Sequence, residues 1–234
     1  MNHQTQAYTL TGPAGLLQGL RDAPQGPPRG VAVIAHPHPL FGGSMDNKVV
    51  QTLARAFVQC GWLALRFNFR GVGQSQGTYD EGRGELQDLL AVVAMADAEA
   101  AQGQAETPAL ALAGFSFGAF VASHAVGALW AGREVQKIVL VGTAASRFDV
   151  LPMPAEAHAR ALVLHAEQDD TVPLADVLAW ARPQSLPVTV VPGGSHFFHG
   201  QLPLLKSLVV RHLCAPPFVA LQSLPHEAAG VPLV

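Results

Sequence analysis

Between Glu106 and Arg133 the chain carries no charged side chain. No other feature constrains the fold as much, because roughly 20 apolar residues suffice to cross a bilayer. Residue by residue, the run does not read as a membrane span. Gly114, Ser116, Gly118, Ser123 and His124 interrupt it, and its apolar density peaks in the short piece Ala109–Ala113. No Lys/Arg cluster flanks it to set an orientation. A buried strand (109–113) turning into a buried helix (117–131) accounts for the same composition.

That strand–helix unit belongs to a longer alternation. Val31–Ala35, Trp62–Phe67, Lys137–Val141, Ala161–His165 and Val188–Val191 are short, mainly apolar runs of strand length. Such runs suit parallel strands covered on both faces. Helices are expected over 46–60, ended by Gly61, and over 80–101, where Leu86, Leu89, Leu90 and Val93 recur at helical spacing. Two more are expected at 173–181 and, opened by Pro203, at 203–213. Residues 5–11 and 15–21 read as a hairpin around Gly12-Pro13. The class implied is α/β: a mostly parallel sheet of about eight strands with helices on both faces. One domain is expected over residues 1–214. An apolar, Pro-rich tail follows over 215–234, in which Glu227 is the one charge.

Composition excludes several functions. Charged residues make up 13% of the chain, against roughly 25% in ordinary domains, the opposite of a disordered segment. The net charge is −3, with 14 basic and 17 acidic residues and no basic run, so no nucleic-acid partner is expected. The N-terminus shows neither a basic n-region nor an apolar h-region. Cys60 and Cys214 are isolated, without the spacing of a disulfide framework or a zinc site. A cytoplasmic, non-membrane protein is the expectation.

The chemistry concentrates at predicted strand ends. Gly114-Phe115-Ser116-Phe117-Gly118 is a G-x-S-x-G segment between strand and helix, the context in which that motif exposes a nucleophilic hydroxyl. A serine needs a base, and the base an acid. Candidates follow in order after later strands: Asp169-Asp170 beyond 161–165, and His196 with His199 beyond 188–191. An oxyanion needs two backbone N–H donors. Phe117 is one candidate. The second comes from His36-Pro37-His38-Pro39-Leu40, where proline carries no N–H, leaving His38 or Leu40.

Taken together, His36-Pro-His-Pro39-Leu-Phe-Gly-Gly43, Met45-Asp-Asn-Lys48, Arg66-Phe-Asn-Phe-Arg70-Gly-Val-Gly73, Gly114-Phe-Ser-Phe-Gly118 and His196-Phe-Phe-His-Gly200 resemble the α/β-hydrolases. The likeness is narrower still to the small, lidless bacterial serine hydrolases of the dienelactone-hydrolase-like group, over about residues 8–214. The resemblance implies Ser116 as nucleophile, His196 as base and Asp169, first residue of an Asp-x-x-Val-Pro pattern, as acid. Asp170 is the alternative acid if the loop reads one residue along, and His199 the alternative base. Its likeness to His-Gly-x loops favours His38 as second oxyanion donor, with Leu40 close behind.

His36-x-His38 also has metal-site spacing, with His165, His196 and Asp169 as conceivable recruits. Ser116 would then have no purpose, so neither metal nor cofactor is expected. Residues 142–160 leave no room for a cap domain. Phe41, Phe115, Phe197 and Phe198, all in motif segments, are expected to wall a small acyl pocket. Phe115 and Phe197 could equally pack inward. The expected activity is hydrolysis of short-chain carboxylic esters through an acyl-enzyme. Thioester, lactone or small-amide hydrolysis, or a binding protein that kept the fold, are the alternatives. The apolar tail leaves pairing of two copies open.

Overall fold

A computed structural model describes residues 5–103 and 106–215. The tail expected at 215–234 lies outside these residues except for Ala215. Eight strands form one sheet: β1 Thr5–Gly12, β2 Gly15–Asp22, β3 Gly30–Ala35, β4 Leu63–Phe67, β5 Ala109–Phe115, β6 Val135–Val141, β7 Ala161–Ala166 and β8 Val188–Val191. Their order is β1-β2-β4-β3-β5-β6-β7-β8. β1 and β2 form an antiparallel hairpin that joins β4 antiparallel, and all other pairings are parallel. The helices are α1 Lys48–Gln59, α2 Arg83–Gln102, α3 Phe117–Leu129, α4 Leu174–Ala181 and α5 Leu202–Cys214.

Side chains alternate across a strand, and this divides the core into two layers. Val31, Val33 and Ala35 of β3, with Leu110 and Leu112 of β5, face α2, α3 and α4. Ala32 and Ile34, with Ala111, Ala113 and Phe115, face α1 and α5. The charge-free run therefore becomes β5 and α3, both buried. Among the described residues no helix is long and apolar enough to cross a membrane.

Capping chemistry sets the helix starts. Asn47 accepts the Val49 N–H at 2.9 Å, so α1 begins at Lys48 rather than 46. Before α2, the Glu85 carboxylate accepts the N–H groups of Asp80 and Gly82 at 2.9 and 2.8 Å. This turn delays the helix from 80 to Arg83.

The Arg66–Gly73 segment uses its polar residues to hold loops. Arg66 Nε donates to Asp22 Oδ2 at 2.8 Å and Nη1 to the Met45 carbonyl at 2.9 Å. Asn68 Oδ1 accepts the Met45 N–H at 2.9 Å. Arg70 forms a buried two-pronged pair with Asp88 of α2, at 3.0 Å from Nε and 2.7 Å from Nη2. Asp88 also accepts the Arg70 N–H at 3.0 Å. Removing one partner of a buried ion pair strands the other charge. Asp88→Ala is therefore expected to lower stability by about 3–5 kcal/mol in urea denaturation. Truncating Arg83, whose partners are exposed on the surface, is expected to leave the midpoint unmoved.

Candidate active site

The site forms where β3, β5, β7 and β8 end. Ser116 occupies the single residue between β5 and α3, at φ 57° and ψ −116°, a conformation that L side chains disfavour. Its N–H donates to the Val141 carbonyl at 2.8 Å. The glycines beside it exist for space. A Cβ at Gly114 would overlap the Gly118 carbonyl, and one at Gly118 would overlap the Ala35 carbonyl. Only with both absent can β5, the serine and α3 close on β3.

Ser116 Oγ lies 3.1 Å from His196 Nε2, and His196 Nδ1 lies 2.7 Å from Asp169 Oδ2. All three side chains are buried. The other carboxylate oxygen of Asp169 accepts the N–H groups of Thr171 and Val172 at 3.0 and 2.7 Å. Burial pushes the Asp169 carboxyl up. The hydrogen bonds from His196 and Val172 and the nearby imidazoles outweigh it and hold the group below the ordinary aspartate range. Asp170 instead faces solvent beside the Thr171 hydroxyl, and His199 is exposed, 3.5 Å from Ser195 Oγ.

The Asp169 and His196 loops are stitched to each other. The Glu167 N–H donates to the Val191 carbonyl, the Gln168 N–H to the Gly194 carbonyl, and the Gly193 N–H to Glu167 Oε2. From beneath, the Phe115 ring supports the His196 ring at 4.9 Å. His165, the penultimate residue of β7, lies behind Asp169, with Nε2 3.6 Å from Asp169 Oδ2 and donating to the Val172 carbonyl at 2.9 Å. Burial pushes its pKa down. Sequence reading saw in His165 only a metal ligand. A histidine ending the strand before the acid loop was the available signal.

Of the oxyanion candidates, Phe117 opens α3, where an N–H has no intrahelical acceptor. The Leu40 N–H is already engaged, donating to the ring Nδ1 of His38 at 3.2 Å. This corrects Leu40 as an alternative and leaves the His38 N–H without an acceptor among the described residues. The His38 ring lies 5.1 Å from that of Phe117, so the loop rests against the start of α3. Burial, with Arg147 nearby, pushes the His38 pKa down.

The phenylalanine wall needs a second correction. Phe115 and Phe198 are wholly buried in the layer facing α1 and α5 and cannot line a solvent-reached pocket. Phe198, at φ 52°, is the plug that anchors the His196 loop. Phe41 and Phe197 remain at the surface, 74% and 44% exposed. Tyr79 and Phe148 join Phe41 around the His38 ring at 4.8, 6.0 and 4.6 Å. They come from loops that no motif marked. A cavity of about 860 Å³ opens elsewhere, between the β1–β2 hairpin and α1, lined by Asp22, Asp46, Arg55, Arg66 and Lys206. Ser116, Asp169 and His196 do not border it.

His36 is fully used by the scaffold. Its Nδ1–H donates to the Pro37 carbonyl at 2.6 Å, and its Nε2 accepts the Phe69 N–H at 3.0 Å.

A family model described as serine aminopeptidase, S33, matches residues 26–162. XC6422 of Xanthomonas campestris, an α/β serine hydrolase without a lid, is 36% identical, with a TM-score of 0.77 over 91% of this chain and 95% of that one. An α/β serine hydrolase homologue from Coxiella burnetii is 38% identical, with a TM-score of 0.75 over 89% and 97%. The chain belongs to the serine aminopeptidase S33 family of α/β serine hydrolases. Its similarity to the Xanthomonas protein, along nearly the whole of both chains, extends to the lidless form. An uncharacterised protein of Rickettsia prowazekii is 39% identical over 117 residues; the chain spans about half the length of that curated relative.

Burial pushes the His36 pKa down to about 4, only partly offset by the Pro37 carbonyl. Below the ordinary histidine value the unfolded chain binds a proton that the folded chain refuses, so stability falls with pH. His36 alone is expected to remove on the order of 3 kcal/mol between pH ~6.5 and ~4. Urea midpoints across that window and an imidazole NMR titration check this. A His36 ring that protonates above pH ~6 would contradict it.

Proposed function

We propose that this protein is a carboxylesterase acting on short acyl chains, with Ser116 as nucleophile, His196 as base and Asp169 as acid. The observation that carries the reading is the continuous chain from Ser116 Oγ through His196 to Asp169, at 3.1 and 2.7 Å. Ionised Asp169 accepts the His196 Nδ1–H and fixes the tautomer whose Nε2 lone pair receives the serine proton. Oγ attacks the ester carbonyl, and the oxyanion that forms meets the N–H groups of Phe117 and His38. One such donor contributes about 3 kcal/mol to the transition state. His196 then protonates the departing alcohol. Water repeats the sequence on the acyl-enzyme, returns the proton to Ser116 and frees the acid.

Two features favour short chains. Residues 142–160 carry one 3₁₀ turn, Ala155–Arg160, and no cap. Two of the four phenylalanines expected in the pocket are in the core. Each methylene that finds an apolar wall gains about 0.8 kcal/mol, and an open cleft withdraws that gain after the first few carbons. The S33 match favours a second reading, hydrolysis of aminoacyl amides by the same groups.

A p-nitrophenyl ester series is expected to give its highest kcat/KM at two to four acyl carbons. A maximum at about ten carbons, each further methylene still gaining, overturns the short-chain reading. Faster turnover of aminoacyl p-nitroanilides replaces it with the second. A fluorophosphonate is expected to label the wild type and not Ser116→Ala. Asp169→Asn is expected to lower kcat by about 10⁴, and Asp170→Asn to leave it within a few-fold. The reverse pattern would move the acid one residue along.

A further inference from the structure

The chain contains two cysteines, and their separation of 154 residues gave no reason to pair them. The fold does pair them. Cys60 caps the C-terminus of α1 and Cys214 ends α5, and these helices pack together on one face of the sheet. The two Sγ atoms are 3.3 Å apart, already in contact with no atom between them. Both backbones are pinned. The Cys60 N–H donates to the Ala56 and Phe57 carbonyls at 3.1 and 3.0 Å. Lys137 Nζ holds the carbonyls on either side of Cys214, those of His212 and Ala215, at 2.9 and 3.0 Å. Shortening the contact to a bond of about 2.05 Å requires a shift of little more than 1 Å.

We propose that Cys60 and Cys214 are a modification site, closing reversibly into an intramolecular disulfide when a small-molecule disulfide is present as oxidant. The exposures of the two thiols set the order of events. Cys214 is exposed and Cys60 only partly so. The Cys214 thiolate attacks one sulfur of the oxidant, forming a mixed disulfide and releasing one thiolate. Cys60 then loses its proton, attacks Cys214 Sγ and expels the second thiolate. Two protein thiols are oxidised by two electrons, and one disulfide oxidant becomes two thiols. Cys60 suits the resolving role. It is only partly exposed, and its Sγ already stands 3.3 Å from the sulfur it must attack; part of what raises its pKa is the Cys214 thiol, which the mixed disulfide removes.

The bond would tie the far ends of α1 and α5, whose near ends follow the His38 loop and the His196 loop. Its expected effect is on unfolding, because the closed loop is long and its chain entropy would be removed from the unfolded state. This inference is independent of the hydrolytic reading.

The test treats the full folded chain with oxidised glutathione and follows intact mass, non-reducing peptide mapping and thermal unfolding. The expected result is loss of two hydrogens in mass and a Cys60–Cys214 cross-linked peptide. Tm is expected to rise by on the order of 10 °C, and dithiothreitol to reverse all three. The reduced wild type is the reference, so no variant has to fold. Cys60→Ser is expected to stop at a stable glutathione adduct on Cys214. Persistence of that adduct in the wild type, cross-linking between chains, or two thiols that stay alkylatable would each overturn the proposal.

Discussion

Everything at the top of this sheet depends on one close approach. β5 must pass so near the start of α3, and α3 so near the end of β3, that neither Gly114 nor Gly118 has room for a methyl group. The residue between β5 and α3 is then driven to positive φ. A serine in that position projects away from the sheet and leaves the first N–H groups of α3 uncommitted. Such a turn costs of order 1–3 kcal/mol of local strain, and the structure holds it by burying β5 on both faces and by the bond from the Ser116 N–H to Val141.

The remaining parts are brought to that serine by loops with few degrees of freedom. Arg66, Asn68 and Arg70 together tie the segments after β3 and β4 to the hairpin and to α2. Backbone bonds from Glu167 and Gln168 to Val191 and Gly194 join the Asp169 and His196 loops to each other. In a chain with so few charges, Arg66, Arg70 and Asp88 are buried and paired. Each is costly to leave unpartnered, so each specifies one arrangement of its loop.

How much of this was legible depended on whether a signal was local. The strand–helix alternation and the G-x-S-x-G turn are written in adjacent residues, and the sheet and its strand–turn–helix unit agree with them. That Asp169, and not Asp170, lies beside His196 follows from a loop folded around the bonds of the Thr171 and Val172 N–H groups to the Asp169 carboxylate, which the sequence does not display. Phe115 and Phe198 looked like pocket residues because they flank the site in sequence, yet strand alternation turns one downward and a positive φ turns the other. Leu40 was removed by a contact two residues long that depends on the ring of His38. The meeting of Cys60 with Cys214, and of Tyr79 and Phe148 at His38, are consequences of topology across many residues, which no short pattern contains.

The bond from the Leu40 N–H to His38 has a consequence for the shape of the site. A ring nitrogen can accept that bond only through its lone pair, and a proton on the same nitrogen would abolish it. The turn following β3 is thus held by the unprotonated form of an imidazole at the rim of the site. Burial and the neighbouring Arg147 both disfavour the charged form. Which backbone N–H of this turn stays free is thereby tied to the charge of the His38 ring.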